Sequence, residues 1–172
     1  MKNIVIAAGY ATRLGELTRN FPKPLLKIGE NTILGRMLDD IDRIDDIDEH
    51  VIVTNHRFAD IFERWASEQH YSKPVTIVDD GTESNETRLG AVCDLLYAMD
   101  KLQIDDDLLV VAADNLLFFS FAEFVAFAKE RQSSCIRPFI DNINAVNRLY
   151  NEPVTLIFNY DTLYLGSTPD QT

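Results

Sequence analysis

The side chains with the most chemistry in their types and spacing lie between positions 9 and 25. Gly9-Tyr10-Ala11-Thr12-Arg13-Leu14-Gly15 is followed by Thr18 and then by Phe21-Pro22-Lys23-Pro24-Leu25. Gly9 carries no Cβ, so backbone amides there can approach an oxyanion closely. Thr12 adds a hydroxyl donor, and the planar fork of Arg13 matches two phosphate oxygens at once. Lys23 stands between two prolines, whose fixed φ restricts where its ammonium can point. As a set, these residues describe a turn built to receive a chain of phosphates. Two familiar phosphate loops do not fit. A Walker loop needs Gly-Lys-Ser/Thr after four intervening residues, and position 14 is leucine. A dinucleotide fingerprint needs glycine at its third and sixth positions, where Ala11 and Leu14 stand.

The charge distribution points the same way. The 172-residue chain has a formal net charge of −12, yet residues 1–36 carry +4, which leaves −16 on the remainder. A small positive island on an acidic protein suits a small polyanion, and the overall sign excludes a nucleic-acid partner. A second chemical position is Asp114, at the end of the apolar run Leu108–Ala112. A carboxylate at the C-terminal end of a buried strand is well placed for a metal that bridges phosphates. His50, His56 and His70 are scattered and form no nucleophile–base set with a serine or cysteine. Cys93 and Cys135 have no metal-type spacing and read as reduced core thiols of a cytoplasmic protein. No apolar run approaches the length of a membrane span, and the N-terminus reads as a buried strand rather than a signal peptide.

These groups need a scaffold, and the pattern supplies one by alternating strands with helices. Strands are expected at Ile4–Ala8, Val51–Val53, Val75–Val78 and Leu108–Ala112, each a short continuous apolar run. Thr32 is placed to cap a helix whose stripe is Ile33, Leu34, Met37, Leu38, Ile41 and Ile44. Further helices are expected at Ala59–Ser67, with Ile61, Phe62 and Trp65 inward, at Leu89–Met99 and at Phe121–Arg131. A polar loop, Asp79–Arg88, separates the third strand from its helix. A helix over Ile140–Leu149 and a strand over Val154–Phe158 close the chain. The alternation predicts one α/β domain over residues 1–172, a Rossmann-like, mostly parallel sheet with helices on both faces. Its ligands would sit outside the C-terminal strand ends.

The run Ala7-Ala8-Gly9-Tyr10-Ala11-Thr12-Arg13-Leu14, with Phe21-Pro22-Lys23-Pro24-Leu25-Leu26, resembles the signature of the sugar-phosphate nucleotidyltransferases. That family includes glucose-1-phosphate thymidylyl- and uridylyltransferases, mannose-1-phosphate guanylyltransferases and phosphocholine cytidylyltransferases. Ala11 stands where the family has a second glycine, and Glu16 where it has proline. Leu89-Gly90-Ala91 resembles the family's glycine-containing base-binding turn. Val110-Val111-Ala112-Ala113-Asp114-Asn115 resembles its strand-terminal Gly-Asp-Asn, with Ala113 in place of glycine. The resemblance implies a nucleotide-diphospho-sugar transferase fold, with Ala8, Gly9, Ala11, Thr12 and Gly90 binding nucleotide and Asp114 holding Mg2+. It further implies that Arg13 holds the departing β- and γ-phosphates and that Lys23 neutralises the α-phosphate region. The substrates it implies are a nucleoside triphosphate and a phosphorylated small-molecule acceptor.

The likeness is continuous over residues 1–135, the nucleotide-binding part, and resumes in a shortened part, 136–172. The family's Glu-Lys-Pro acceptor motif is missing. Leu163-Tyr164-Leu165-Gly166-Ser167-Thr168-Pro169-Asp170 resembles the family's closing motif, with Tyr164 at the position of a second metal-binding aspartate. Three readings follow: a working transferase, a catalytically impaired nucleotide-binding or regulatory protein, and a purely structural interaction domain. Without the family's further strands, a sheet edge or apolar surface is left for association with another copy or protein.

Overall fold

The computed structural model describes residues 1–10, 20–115, 119–135, 158–159 and 162–163. The expected helix at Ile140–Leu149, and the expected strand at Val154–Phe158 apart from Phe158, lie outside them. The chain divides into two compact units, Met1–Ala122 and Glu123–Thr172.

The first unit begins with β1 (Lys2–Ile6) and a short 3-10 turn at Lys23–Leu25. Two-residue strands β2 (Lys27–Ile28) and β3 (Asn31–Thr32) pair antiparallel and lead into α1 (Ile33–Ile41). Then come β4 (Glu49–Thr54), a 3-10 turn at His56–Phe58, α2 (Ala59–Ser67), β5 (Val75–Asp79), α3 (Ala91–Leu102) and β6 (Leu108–Ala112). The four longer strands form one parallel sheet in the order β5-β4-β1-β6. This is the expected class. Helix α4 (Phe121–Arg131) straddles the unit boundary in sequence, and in the second unit β7 (Phe158–Asn159) pairs antiparallel with β8 (Thr162–Leu163). Among the described residues no helix is long and apolar enough to cross a membrane.

Register explains why the strands read as unbroken apolar runs. Ile4, Val51, Val53 and Val78 point to one face, where they pack with Ala98, Leu95 and Met99 of α3. Alternate residues point to the opposite face, and Val5 and Ile52 there are equally buried. A strand covered on both sides has no polar face to show. Boundaries moved by one to three residues. β1 ends at Ile6, although Ala7 still donates to the Val53 carbonyl at 2.8 Å. Helix α3 starts at Ala91 because Gly90, at φ 89° and ψ 155°, is not helical. Cys93 corrects an expectation: it is exposed rather than a core thiol, on a stretch of α3 that also exposes Val92 and Leu96.

Thr32 caps α1 as its sequence position implies. Its hydroxyl accepts from the Gly35 amide at 2.9 Å. A Cβ on Gly35 would lie 2.2 Å from Asn31 Oδ1 and 2.9 Å from Thr32 Oγ1. Asn31 has little room to yield, because Oδ1 accepts the Thr32 amide and Nδ2 donates to Asp39, both at 2.7 Å.

At the N-terminal end of the sheet, His50 is wholly buried. Asn3 Nδ2 donates to His50 Nδ1 at 2.9 Å, so the proton is on Nε2, which donates to Asp42 Oδ1 at 3.1 Å. Burial holds the His50 imidazole below its ordinary range. Asp42 also accepts the amides of Ser72 and Lys73. Burial alone would raise its carboxyl, but the donors from Ser72, His50 and Lys73 outweigh it and bring it down to about 2.

Two outcomes follow. Gly35→Ala should lower stability by about 1–3 kcal/mol in urea unfolding, despite the better helix propensity of alanine. Asp42→Ala should cost about 2–3 kcal/mol at pH 7. A carboxyl held low in the folded state stabilises above its ordinary range, so that deficit should shrink as pH falls from 4 towards 2.

Candidate active site

Because the four strands are parallel, their exits share one edge of the sheet. Ala8–Tyr10 leave β1, Asn55 and His56 leave β4, Asp80–Thr82 leave β5, and Asp114 follows β6. Ala8 is buried, and its carbonyl accepts from Asn55 Nδ2 at 3.0 Å. Gly9 is exposed, and a Cβ built on it would meet nothing within 4 Å. Ala11, Thr12 and Arg13 lie outside the described residues.

Lys23 opens the 3-10 turn Lys23–Leu25, where the Leu25 and Leu26 amides bond back to the Pro22 and Lys23 carbonyls. Pro24 and Leu25 are buried, so the turn is anchored and the lysine stem projects from a fixed base. Its Nζ lies 3.3 Å from Asp114 Oδ2, and Asn115 Nδ2 donates to Asp114 Oδ1 at 2.9 Å. Two groups 91 positions apart thus meet at the carboxyl edge. Asp114 is held in place from behind: the Ala113 amide donates to the Ile6 carbonyl at 3.1 Å, and Ala113 is buried. Gly90, at the N-terminus of α3, has a backbone that an L-residue rarely adopts, and among the described residues nothing lies within 4 Å of where its Cβ would be.

The Mg2+ that the resemblance implies fits what is present. Asp114 is a hard oxygen donor with a half-exposed side chain, 57% open to solvent. Magnesium commonly takes one or two carboxylates and completes its shell with phosphate oxygens and water. Among the described residues no cluster of three or more metal-ligating side chains exists. Asp114 is the described carboxylate that faces Lys23 there, and Tyr164, Asp161 and Asp170 lie outside the described residues. What the arrangement shows is an ammonium and a carboxylate facing each other at the carboxyl edge of the sheet.

Sequence reasoning missed Asn55 and the hydroxyl pair Tyr10–Thr82, 3.0 Å apart. Asn55 is fully buried, and it fixes the turn that Gly9 occupies. An asparagine after a strand reads as an ordinary turn residue, so only the three-dimensional pairing reveals its part.

The fold has counterparts among known proteins. The chain is 28% identical over 130 residues to the mannose-1-phosphate guanylyltransferase catalytic subunit beta of Dictyostelium discoideum, covering 75% of this chain and 34% of that protein. It spans about a third of the length of the curated relatives it matches first. A solved structure from Bacillus anthracis assigned as a glucose-1-phosphate thymidylyltransferase aligns with TM-score 0.64 at 21% identity, over 77% of this chain and 52% of that one. The CTP:phosphocholine cytidylyltransferase of Streptococcus pneumoniae aligns with TM-score 0.53 at 22% identity, over 70% and 47%. At such identities the structural likeness speaks for the fold. The nucleotidyl transferase family profile matches residues 2–145, which takes in the whole four-stranded sheet and both partners of the Lys23–Asp114 pair. On that match, the chain belongs to the nucleotidyl transferase family.

Proposed function

We propose that the protein transfers a nucleoside monophosphate from a nucleoside triphosphate to a sugar phosphate or similar phosphorylated acceptor. An acceptor phosphate oxygen forms the new bond to the α-phosphorus, the α–β bridging P–O bond breaks, and pyrophosphate leaves. The observation that carries this reading is the 3.3 Å meeting of Lys23 and Asp114 at the sheet's carboxyl edge. Both reactants are anions, so the barrier is largely repulsion and positioning. Lys23 offsets charge near the α-phosphate, Arg13 holds the β- and γ-phosphates, and the amides around Ala8, Gly9, Ala11 and Thr12 cradle the tail. Gly90 lets the base lie against the backbone. Asp114 would hold Mg2+, which supplies charge neutralisation on the phosphate oxygens.

No side-chain nucleophile enters this chemistry, since the acceptor brings its own. The two free cysteines support a cytoplasmic setting. The exposed Val110 on the edge strand β6 supports association with another copy.

The test is pyrophosphate release with Mg2+, each of four nucleoside triphosphates, and a panel of sugar phosphates and phosphocholine. Turnover with one pairing is expected. Triphosphate binding without turnover would favour an impaired nucleotide-binding protein. Lys23→Ala and Arg13→Ala should each lower turnover about 10²-fold or more. Because the Lys23–Asp114 pair is partly exposed, Lys23→Ala should change unfolding stability by only about 0.5 kcal/mol. Unchanged turnover in both variants would remove these roles.

A further inference from the structure

The loop leaving β5 contains a pair of carboxyl groups for which the proposed chemistry has no use. Asp80, just past β5, is 7% exposed, and Asp94, in the first turn of α3, is 3% exposed. Asp80 Oδ1 accepts both the amide and the hydroxyl of Thr82, each at 2.7 Å. Asp94 is in hydrogen-bond contact with Asp80. Asp80 Oδ2 and Asp94 Oδ1 are both buried, and no donor from another residue reaches either. Two buried carboxylates in contact do not both stay ionised. Burial and the neighbouring Asp80 both raise Asp94, so the shared proton resides on Asp94 and is donated to Asp80.

The directions of the next bonds follow. The Thr82 hydroxyl gives its proton to Asp80, so the Tyr10 hydroxyl, 3.0 Å from Thr82 Oγ1, is the donor in that contact. The line Asp94–Asp80–Thr82–Tyr10 thus joins the N-terminus of α3 to the loop after β5 and to the turn after β1. Backbone bonds tie the same loop to β4: the Asp80 amide donates to the Thr54 carbonyl and the His56 amide to the Thr82 carbonyl, both at 2.9 Å.

We propose that Asp94 and Asp80 are positioning residues whose shared proton latches the 79–90 loop and the start of α3 to the turn after β1. When the proton is lost, two buried charges repel, the latch loosens, and Tyr10 and its neighbours at Gly9 lose their support. The consequence for nucleotide binding rests on reading that turn as a triphosphate site; the latch itself does not.

Burial first, and then the charge of Asp80, push Asp94 up to about 6. A carboxyl raised in the folded state stabilises fully below its ordinary range and loses that contribution as pH rises through the folded value. The latch therefore loosens between about pH 5 and 7.5. Other groups facing the line are Tyr10, itself raised by burial, with Glu83 and Arg57 acting on it. Asp79, bonded to His56 and near Lys101, adjoins Asp80 in the chain. His56 is raised by its bond to Asp79 and His50 is lowered by burial, so the two add pH-dependent contributions of opposite sign and a raw stability profile does not isolate the pair.

The experiment compares wild type with Asp94→Asn, which keeps a donor towards Asp80 but has no proton to lose. Amide hydrogen exchange over residues 79–90, corrected for intrinsic rates, is followed from pH 5 to 7.5. Wild-type protection should fall about tenfold or more across this range while the variant stays flat; the same fall in both overturns the latch. Carboxyl 13C shifts of the wild type titrate Asp94 directly, even if the variant fails to fold. A midpoint near 6 supports the proposal, and one below about 4.5 overturns it. Affinity for Mg2+–triphosphate, measured alongside, should fall with pH in wild type and not in Asp94→Asn. If the exchange step is present and no triphosphate binds, the site reading falls and the latch stands. If triphosphate binds and the step is absent, the reverse holds.

Discussion

The hydrogen bonding of β1 to β4 along one edge and to β6 along the other is the constraint from which the ligand end of the protein follows. Parallel pairing in this register aligns Ile6 with Val53 and with Ala112, so the chain emerges from all three strands at one level. Burying β1 on both faces stabilises it strongly, since Ile4 and Val5 are each wholly removed from water at about 2 kcal/mol apiece. Past Ile6 the ladder continues only through single bonds, the first from the Ala7 amide to the Val53 carbonyl. Asn55 supplies another at Ala8, and the Ala113 amide one at Ile6. The turn at Gly9 is therefore set by what its neighbours on β4 and β6 supply.

Much of this scaffold could be read from residue order. Helix α2 occupies Ala59–Ser67 as its stripe implied, and Thr32 caps α1, because periodicity and capping are local properties. Short buried strands announced themselves as unbroken apolar runs. What escaped was whatever depends on distant partners. His50 and Asn3 lie inside strands yet look solvated on paper, and only their mutual bond and Asp42 explain their burial. Asp94 falls where a helix could show it to water, and Cys93 beside it was expected inside; the two are reversed. The rotation of a helix about its axis is settled by the sheet beneath it, and α3 is apolar on too many of its positions to declare a face. For the phosphate turn, Lys23 and Asp114 were singled out separately by type, and their meeting is a tertiary fact that spacing does not contain.

Two aspartates illustrate how environment, rather than residue type, decides charge. Asp42, partly buried, is surrounded by donors, namely the Ser72 and Lys73 amides and His50 Nε2, and is held at about 2. Asp94 is more deeply buried and faces another carboxyl, and it is pushed up to about 6. Desolvation disfavours the ion in both places, and the count of donors reverses the result in one of them. The sheet thus carries a fixed charge near its N-terminal edge and a labile proton near its carboxyl edge.

The ion pair at the carboxyl edge has a consequence for how the protein is made. Its two members are separated by 91 residues, and β6, which carries one of them, docks on the strand at the very beginning of the chain. A ribosome delivering this sequence releases Lys23 early and Asp114 only after β4 and β5 have emerged. Loop closure of this span is entropically costly and comes late among folding steps. Half-made chains accordingly display the basic turn without its acidic counterpart. The arrangement needed for the work is completed only when the last strand of the sheet is in place.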